Sequence, residues 1–280
     1  MDPRCLFCFS RAFEKLLLSH IHSYDEQLAM AQRFFAFISE IDTSLPAPFV
    51  ARDVHAMIRE VLEVEDPYKH KKDEANKKAL GLYPTLKSRV EASDFPFRRA
   101  IKYAVAGNII DYGPSQSFDI QETLNQVEKQ SFGIDQIDAL YQSIDKAERI
   151  LYLGDNTGEI VFDKLFLETL KGKEVVFVTR GGPVINDATL EDAKEVGLGE
   201  IAQLMDNGYD APSTLLEASS QEFLEEYQKA DLIIAKGMGN FEGLMHQDDN
   251  RLWFLFMVKC AVIGNYLGVP KGEFVAVNNP

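Results

Sequence analysis

From Arg149 onward the chain alternates apolar runs of strand length with stretches of helical periodicity, and few architectures satisfy that alternation. The runs are "ILYL", "EVVFVT", "IAQLM", "DLIIAK", "FLFMV" and "FVAV". Helical patterns near 159–170, 189–196 and 214–229 separate the first four. A strand exposed on one face alternates apolar with polar residues, whereas these runs are continuously apolar. Such strands, joined through helices, predict a largely parallel sheet covered on both faces. The expected class is α/β, with a Rossmann-like sheet.

The first half has a different texture. Leu6, Phe9, Phe13, Leu16 and Leu17 recur at helical spacing, and "DEQLAMAQRFFAFISEI" and "ARDVHAMIREVLEV" repeat the pattern. Further helices are expected over Lys69–Val90, over "DFPFRRAIKYAVAGNIID" with Asp94 as N-cap, and near 120–129 and 136–146. The expected organisation is a helical N-terminal region, residues 1–147, packed on an α/β domain, residues 148–280, that binds metal and substrate. The helices could instead wrap the sheet as one domain.

Of the 280 residues 46% are hydrophobic and 26% charged, a composition for a packed core rather than disorder. The formal net charge of -15 opposes a phosphate-backbone binder, so no nucleic-acid partner is expected. No apolar stretch reaches the ~20 residues of a membrane helix, and no membrane partner is expected. Arg11, Glu14 and Lys15 interrupt the apolar start, against a secretory signal. Three cysteines, a sparse and odd count, argue for a reducing, cytoplasmic setting. Cys5 and Cys8 form a C-x-x-C with His20 and His22 downstream. On one helix these four cannot form a tetrahedral zinc array, so two half-buried helix cysteines are the plainer reading. Cys260 is the third thiol. Oligomeric state is left open.

Ligands of open α/β sheets gather beyond the carboxyl ends of the strands. Three loops there are chemically loaded: "GDNTGE" (154–159), "RGGPVIND" (180–187) and "KGMGNFEG" (236–243). Asp155 and Asn156 offer hard oxygen donors suited to Mg²⁺, Ca²⁺ or Mn²⁺. Thr157 and Gly158 turn the chain into a helix whose first N–H groups would be free for phosphate. Asp187 would complete a metal set if the two strands are neighbours. The alternative stays open on spacing alone: Asp and Asn before a helix, and Asp187 before "ATLEDA", are also preferred N-caps. Lys236 and Arg180 are candidate cations for an anionic substrate. Gly237 and Gly239 permit close backbone approach, and Asn240 and Glu242 follow on the next turn. His70 lies in a basic run expected to be a solvated helix face, from which Lys69 or Asn76 could reach the cleft.

The chain has no G-x-x-x-x-G-K-[ST] and no G-x-G-x-x-G. "LYLGDNTGE" echoes the first glycine loop of S-adenosylmethionine-dependent methyltransferases. However, Asn156 replaces the middle glycine, and the next strand ends in Thr179–Arg180 rather than in an acid.

"GDNTGEIVFD", "RGGPVINDAT" and "KGMGNFEGL", in this order, resemble the metal-dependent damage-control phosphatases. "AVAGNIIDYG" (104–113) and the N-terminal "CLFC" resemble the stand-alone prokaryotic branch of that family. The resemblance implies a helical region on an α/β sheet, with a divalent metal at the strand ends held by Asp155, Asn156 and Asp187. It further implies a substrate pocket lined by Glu159, Lys236, Gly239, Asn240 and Glu242, with Asn108 and Asp111 nearby. Members hydrolyse phosphate monoesters of small metabolites, such as sugar phosphates or damaged cofactor precursors, with Mn²⁺, Co²⁺, Ni²⁺ or Mg²⁺. Asp155, Glu159 and Lys236 are then the candidate catalytic groups. Thr157, Gly158, Arg180 and Gly237 join the substrate-binding set. Two other function classes are an S-adenosylmethionine-dependent carboxyl methyltransferase and a non-catalytic metabolite-binding protein.

Overall fold

The computed structural model describes the backbone of residues 1–112 and 120–279, with side chains except at 108–112, 120, 121 and 123. The chain divides into two compact units, Met1–Pro67 and Tyr68–Pro280. The first unit holds three helices: α1 (Arg4–His20), α2 (Tyr24–Glu40) and α3 (Ala47–Leu62). Their apolar stripes meet: Phe13 of α1 stacks on Phe34 of α2 with ring centroids 4.1 Å apart. Val50, Val54, Met57 and Ile58 form the buried stripe of α3. That helix stops at Glu63, which adopts the left-handed conformation (φ 51°).

The second unit begins with α4 (Lys69–Glu91), α5 (Pro96–Tyr112), α6 (Ile120–Lys129), β1 (Phe132–Asp135) and α7 (Ile137–Lys146). There follow β2 (Arg149–Leu153), α8 (Glu159–Leu167), β3 (Glu174–Thr179), α9 (Leu190–Glu195), β4 (Gln203–Asp206) and α10 (Gln221–Lys229). It closes with β5 (Leu232–Lys236), α11 (Gly237–Leu244), β6 (Leu252–Met257), α12 (Ala261–Leu267) and β7 (Phe274–Asn278).

The seven strands lie in the order β1-β7-β6-β5-β2-β3-β4. All pairs are parallel except β6 with β7. Successive side chains of a strand point to opposite faces. Ile150, Tyr152, Val175, Phe177, Leu232 and Ile234 accordingly join one core, which also takes Ala79 and Leu86 of α4, Tyr103 and Ala104 of α5, and Phe162 and Phe166 of α8. Leu151, Leu153, Val176, Val178, Ile233 and Ala235 join a second core with Phe223 of α10 and Phe241 of α11. Two covered faces are why the strand runs read as continuously apolar.

Two expectations change. The units meet after Pro67, not near residue 147, because α4 and α5 belong to the core that covers the sheet. The change of texture at Arg149 marks where most strands begin. The helix expected over 214–229 shortens to α10, because Ser220 caps it by accepting from the Phe223 amide at 3.2 Å. Thr214 is instead a buried loop residue whose amide donates to Asn240.

The topology also fixes where a ligand would sit. The chain leaves β2 for β3 and β4 on one side, then returns to place β5 on the other side of β2. Loops diverge there, and the crevice opens at the carboxyl ends of β2 and β5.

Candidate active site at the strand ends

Asp155 follows β2 at that crevice, and Asp187 ends the loop after β3. Backbone bonds bring the two loops together. Ala188 N donates to Asp155 O at 2.8 Å, Thr157 N donates to Asn186 O at 2.9 Å, and Asn156 and Asp187 form an isolated antiparallel bridge. The helix caps lie elsewhere. Gly158 is the N-cap of α8 (φ 74°), and Thr189 is the N-cap of α9 in a capping box with Asp192. Asp155, Asn156 and Asp187 are therefore not spent as caps, and all three are buried.

One guanidinium ties the carboxylates together. Arg180, at the end of β3 and buried, donates Nε to Asp187 Oδ2 at 2.6 Å and Nη2 to Asp155 Oδ1 at 3.3 Å. Its Nη1 donates to Asn240 Oδ1 at 3.0 Å. Asn156 Nδ2 donates to Asp155 Oδ2 at 2.6 Å and to Glu159 Oε2 at 3.2 Å. Burial, then the charges of Glu159 and Asp187, pushes the Asp155 carboxyl up to about 7. Burial also raises Asp187, against the pull of Arg180. Gly237, at φ 80°, presses its backbone on this cluster: a Cβ there would lie 2.1 Å from Asp155 Oδ2, so only glycine fits.

Lys236 lies beneath. As the last residue of β5 it shares the strand face of Leu232 and Ile234, toward α5 and α8, and is fully buried. Its Nζ donates to Glu159 Oε1 at 2.8 Å, Asp163 Oδ1 at 2.5 Å and Ala104 O at 2.8 Å. All three ammonium donors are thus engaged. Tyr152 Oη donates to Asp163 Oδ1 at 2.8 Å. Burial pushes the Asp163 carboxyl up to about 6, against the pull of Lys236.

The remaining expected residues fall around these groups. Asn240 fastens three loops, donating to Gly154 O at 3.1 Å and Lys236 O at 2.8 Å while accepting from Thr214 N at 2.8 Å. The Gly239 carbonyl accepts from Ser213 Oγ at 2.8 Å. Glu242, on α11 and half-buried, has its carboxyl pushed up to about 7 by burial, with the exposed Lys259 opposing. Asn108 and Asp111 lie on the last turns of α5, and their side chains are outside the described residues.

One expectation fails. The amides leading into α8 are not free: Thr157 N bonds Asn186 O, and Gly158 N bonds Asn76 Oδ1 at 2.8 Å, while in its first turn Ile160 N bonds Asn156 O and Val161 N bonds Gly158 O. The sequence reading also missed Asp163 and Tyr152, which hold Lys236. Asp163 follows "EIVF" on a helix that is buried nearly all round, and that apolar excess was the available signal.

A separate acidic group, Asp73, Asp192 and Glu195, can bring one carboxylate oxygen from each residue within 4.8 Å of the others and could hold a metal ion. There Asp192 already pairs with Lys72 at 2.9 Å, and Asp73 with Lys69.

A family model described as a damage-control phosphatase ARMT1-like domain matches residues 1–275, and the chain belongs to that family. A damage-control phosphatase of Pyrococcus horikoshii is 36% identical over 77% of this chain and 75% of its own length. A damage-control phosphatase of Archaeoglobus fulgidus is 34% identical over 81% of each chain. An uncharacterized protein of Methanocaldococcus jannaschii is 33% identical over 98% of this chain and 94% of its own. The crystal structure of a DUF89 family protein from Pyrococcus horikoshii matches with a TM-score of 0.92 at 29% identity, covering 100% of this chain and 99% of that one.

Proposed function

We propose that this chain is a divalent-metal-dependent phosphatase acting on phosphate monoesters of small metabolites. The family and the names of its relatives support the phosphatase role. One observation carries the metal dependence. Four buried carboxylates, Asp155, Glu159, Asp163 and Asp187, surround two buried cations, Arg180 and Lys236. With all four ionised, two negative charges are left unmatched; burial, and after it the neighbouring carboxylate charges, raises Asp155, and burial raises Asp163 against the pull of Lys236. A divalent cation has the matching charge, and the donors are hard oxygens.

Asp155, Asn156 and Asp187 would hold the ion. When bound, it supplies Lewis-acid polarisation of a phosphoryl oxygen and offsets the charge of the ester. The protein's own groups do the rest. Arg180 orients both carboxylates through Nε and Nη2 of one guanidinium. Glu159, held from one side by Lys236 and from the other by Asn156, is placed to take the proton of an attacking water. Lys236 is a positioning residue, and Asn240 keeps the three loops in register. Glu242 lines the substrate side, and the free thiols Cys5, Cys8 and Cys260 suit a reducing, cytoplasmic setting.

A methyltransferase reading finds no support at β3. The residue after it, where a ribose-binding acid would be wanted, is a guanidinium buried against carboxylates. The test is hydrolysis of p-nitrophenyl phosphate by chelator-stripped protein, with Mn²⁺ or Co²⁺ restored. Activity that returns only with metal is expected. Equal turnover without metal would remove the metal dependence, and no hydrolysis under any condition would remove the phosphatase.

A further inference from the structure

Asn76 lies on α4, outside the three strand-end loops, and it is fully buried. Its Oδ1 accepts the amide of Gly158, the N-cap of α8, at 2.8 Å across 82 residues of sequence. Its Nδ2 is buried with no hydrogen-bond partner. A buried unpaired amide donor costs about 1–3 kcal/mol, and native structures seldom retain one without a use. If Asn76 served only as a cap, the acceptor oxygen would suffice. A serine or aspartate is the commoner device and would leave no orphan donor.

The surroundings say what the donor would meet. Gly158 closes the turn that begins at Asp155, and the dipole of α8 favours negative charge at that end. The Thr157 and Gly158 amides are already engaged, by Asn186 O and by Asn76 itself, so neither is a free donor. One turn earlier on α4, Lys72 is also buried and pairs with Asp192 of α9 at 2.9 Å. Residues 72 and 76 share one face of α4 by their i, i+4 spacing. That face meets the Gly158 turn and α9, the helix that follows the Asp187 loop.

We infer that Asn76 is a substrate-binding residue: its Nδ2 donates to an anionic phosphoryl oxygen of the ester bound at the Asp155–Gly158 turn, while its Oδ1 holds the turn in place. The inference rests on the phosphatase reading and adds to it a donor from the helical layer. Phosphate recognition at this turn then draws on a side chain, because the Thr157 and Gly158 amides are occupied.

Asn76→Asp separates the two roles. It keeps the acceptor for Gly158 N and suits the helix dipole, but it replaces the donor by an oxygen that repels phosphate. Inorganic phosphate binding to the metal-loaded protein is measured by calorimetry, beside KM and kcat for p-nitrophenyl phosphate. Losing a hydrogen bond to a charged group predicts phosphate affinity lower by about tenfold or more in Asn76→Asp, with KM raised. Phosphate affinity and KM equal to wild type in Asn76→Asp would leave Asn76 a cap and overturn the inference. Should that variant not fold, Asn76→Ala answers the same question: its folded fraction must bind phosphate more weakly, and equal binding overturns the inference. A wild-type protein that neither binds phosphate nor hydrolyses the ester would remove the phosphatase reading together with this one. A defect seen only on mutation of Asn76 supports this one alone.

Discussion

The two units handle polar groups in opposite ways. In Met1–Pro67, His55 is the one polar or charged residue buried among the described residues, while Phe7, Tyr24 and Phe35 stand largely exposed. In Tyr68–Pro280 the cores are closed, and Lys72, Asn76, Asp155, Glu159, Asp163, Arg180, Asp187 and Lys236 are all buried. Burying a charge is costly unless it is paired or put to use. A fold that takes in so many at one sheet edge, and leaves two charges unmatched there, carries its chemistry at that edge. The helical unit is built mainly by apolar stripes, with His55 buried on that of α3.

The sharpest way to break this contrast is to remove one of the unmatched charges. Asp155→Asn keeps shape and some hydrogen bonding but takes away a carboxylate whose ionised form burial already disfavours. Phosphatase activity should fall by about 10³-fold or more, on the scale of losing a principal electrostatic element of an active site. The unfolding midpoint of the metal-free protein should hold or rise, because like-charge repulsion with Glu159 and Asp187 is relieved. A variant that keeps its turnover, or that loses both turnover and fold, would make Asp155 an ordinary structural residue.

How far the sequence carried this reading follows from the same contrast. Loops at strand ends announce themselves, because acids, amides and glycines interrupt apolar runs, so Asp155, Asn156, Asp187 and Gly237 were legible. The sheet was legible for the same reason, apart from β1, whose four residues "FGID" are too short and glycine-broken to signal a strand. What remained hidden were partners brought in from elements that look solvated. α4 reads "KHKKDEANKK", from which Asn76 was expected to reach inward, but it gives no hint that Lys72 does so while Lys69 stays exposed. Asp163 reads as the polar face of its helix until α5 is seen to cover it. The choice between caps and site residues was likewise open in one dimension. The structure gives the capping positions to Gly158 and Thr189.

Lys236→Met tests the other half of the site, where charges are paired rather than unmatched. Removing the ammonium leaves Glu159 and Asp163 buried without their cation, and breaking a buried pair in this way costs about 3–5 kcal/mol. The loss should appear in urea unfolding followed by tryptophan fluorescence, since Trp253, the chain's one tryptophan, lies in the core of the second unit. A midpoint unchanged from wild type would mean that Lys236 is not the keystone its three bonds suggest.

The smallest effect separates the units by the sign of their response to acid. Burial, aided by the charge of Arg59, lowers His55 from 6.5 to about 4. As pH falls below 6.5 the unfolded chain takes up a proton that the folded unit refuses. Stability present above 6.5 is therefore lost progressively down to about pH 4, by about 3 kcal/mol for a shift of that size. Asp163 runs the other way. Its folded carboxyl, at about 6, keeps a proton that the unfolded chain releases near its ordinary 3.8, so its contribution weakens as pH climbs from about 4 to 6. Amide hydrogen exchange across this window should show α3 losing protection toward pH 4 relative to β5, once intrinsic rates are divided out. His55→Phe should abolish the α3 trend and leave that of β5 intact. Parallel trends in both elements would mean that one pH-sensitive network spans the chain, and the division between an apolar unit and a polar one would not hold.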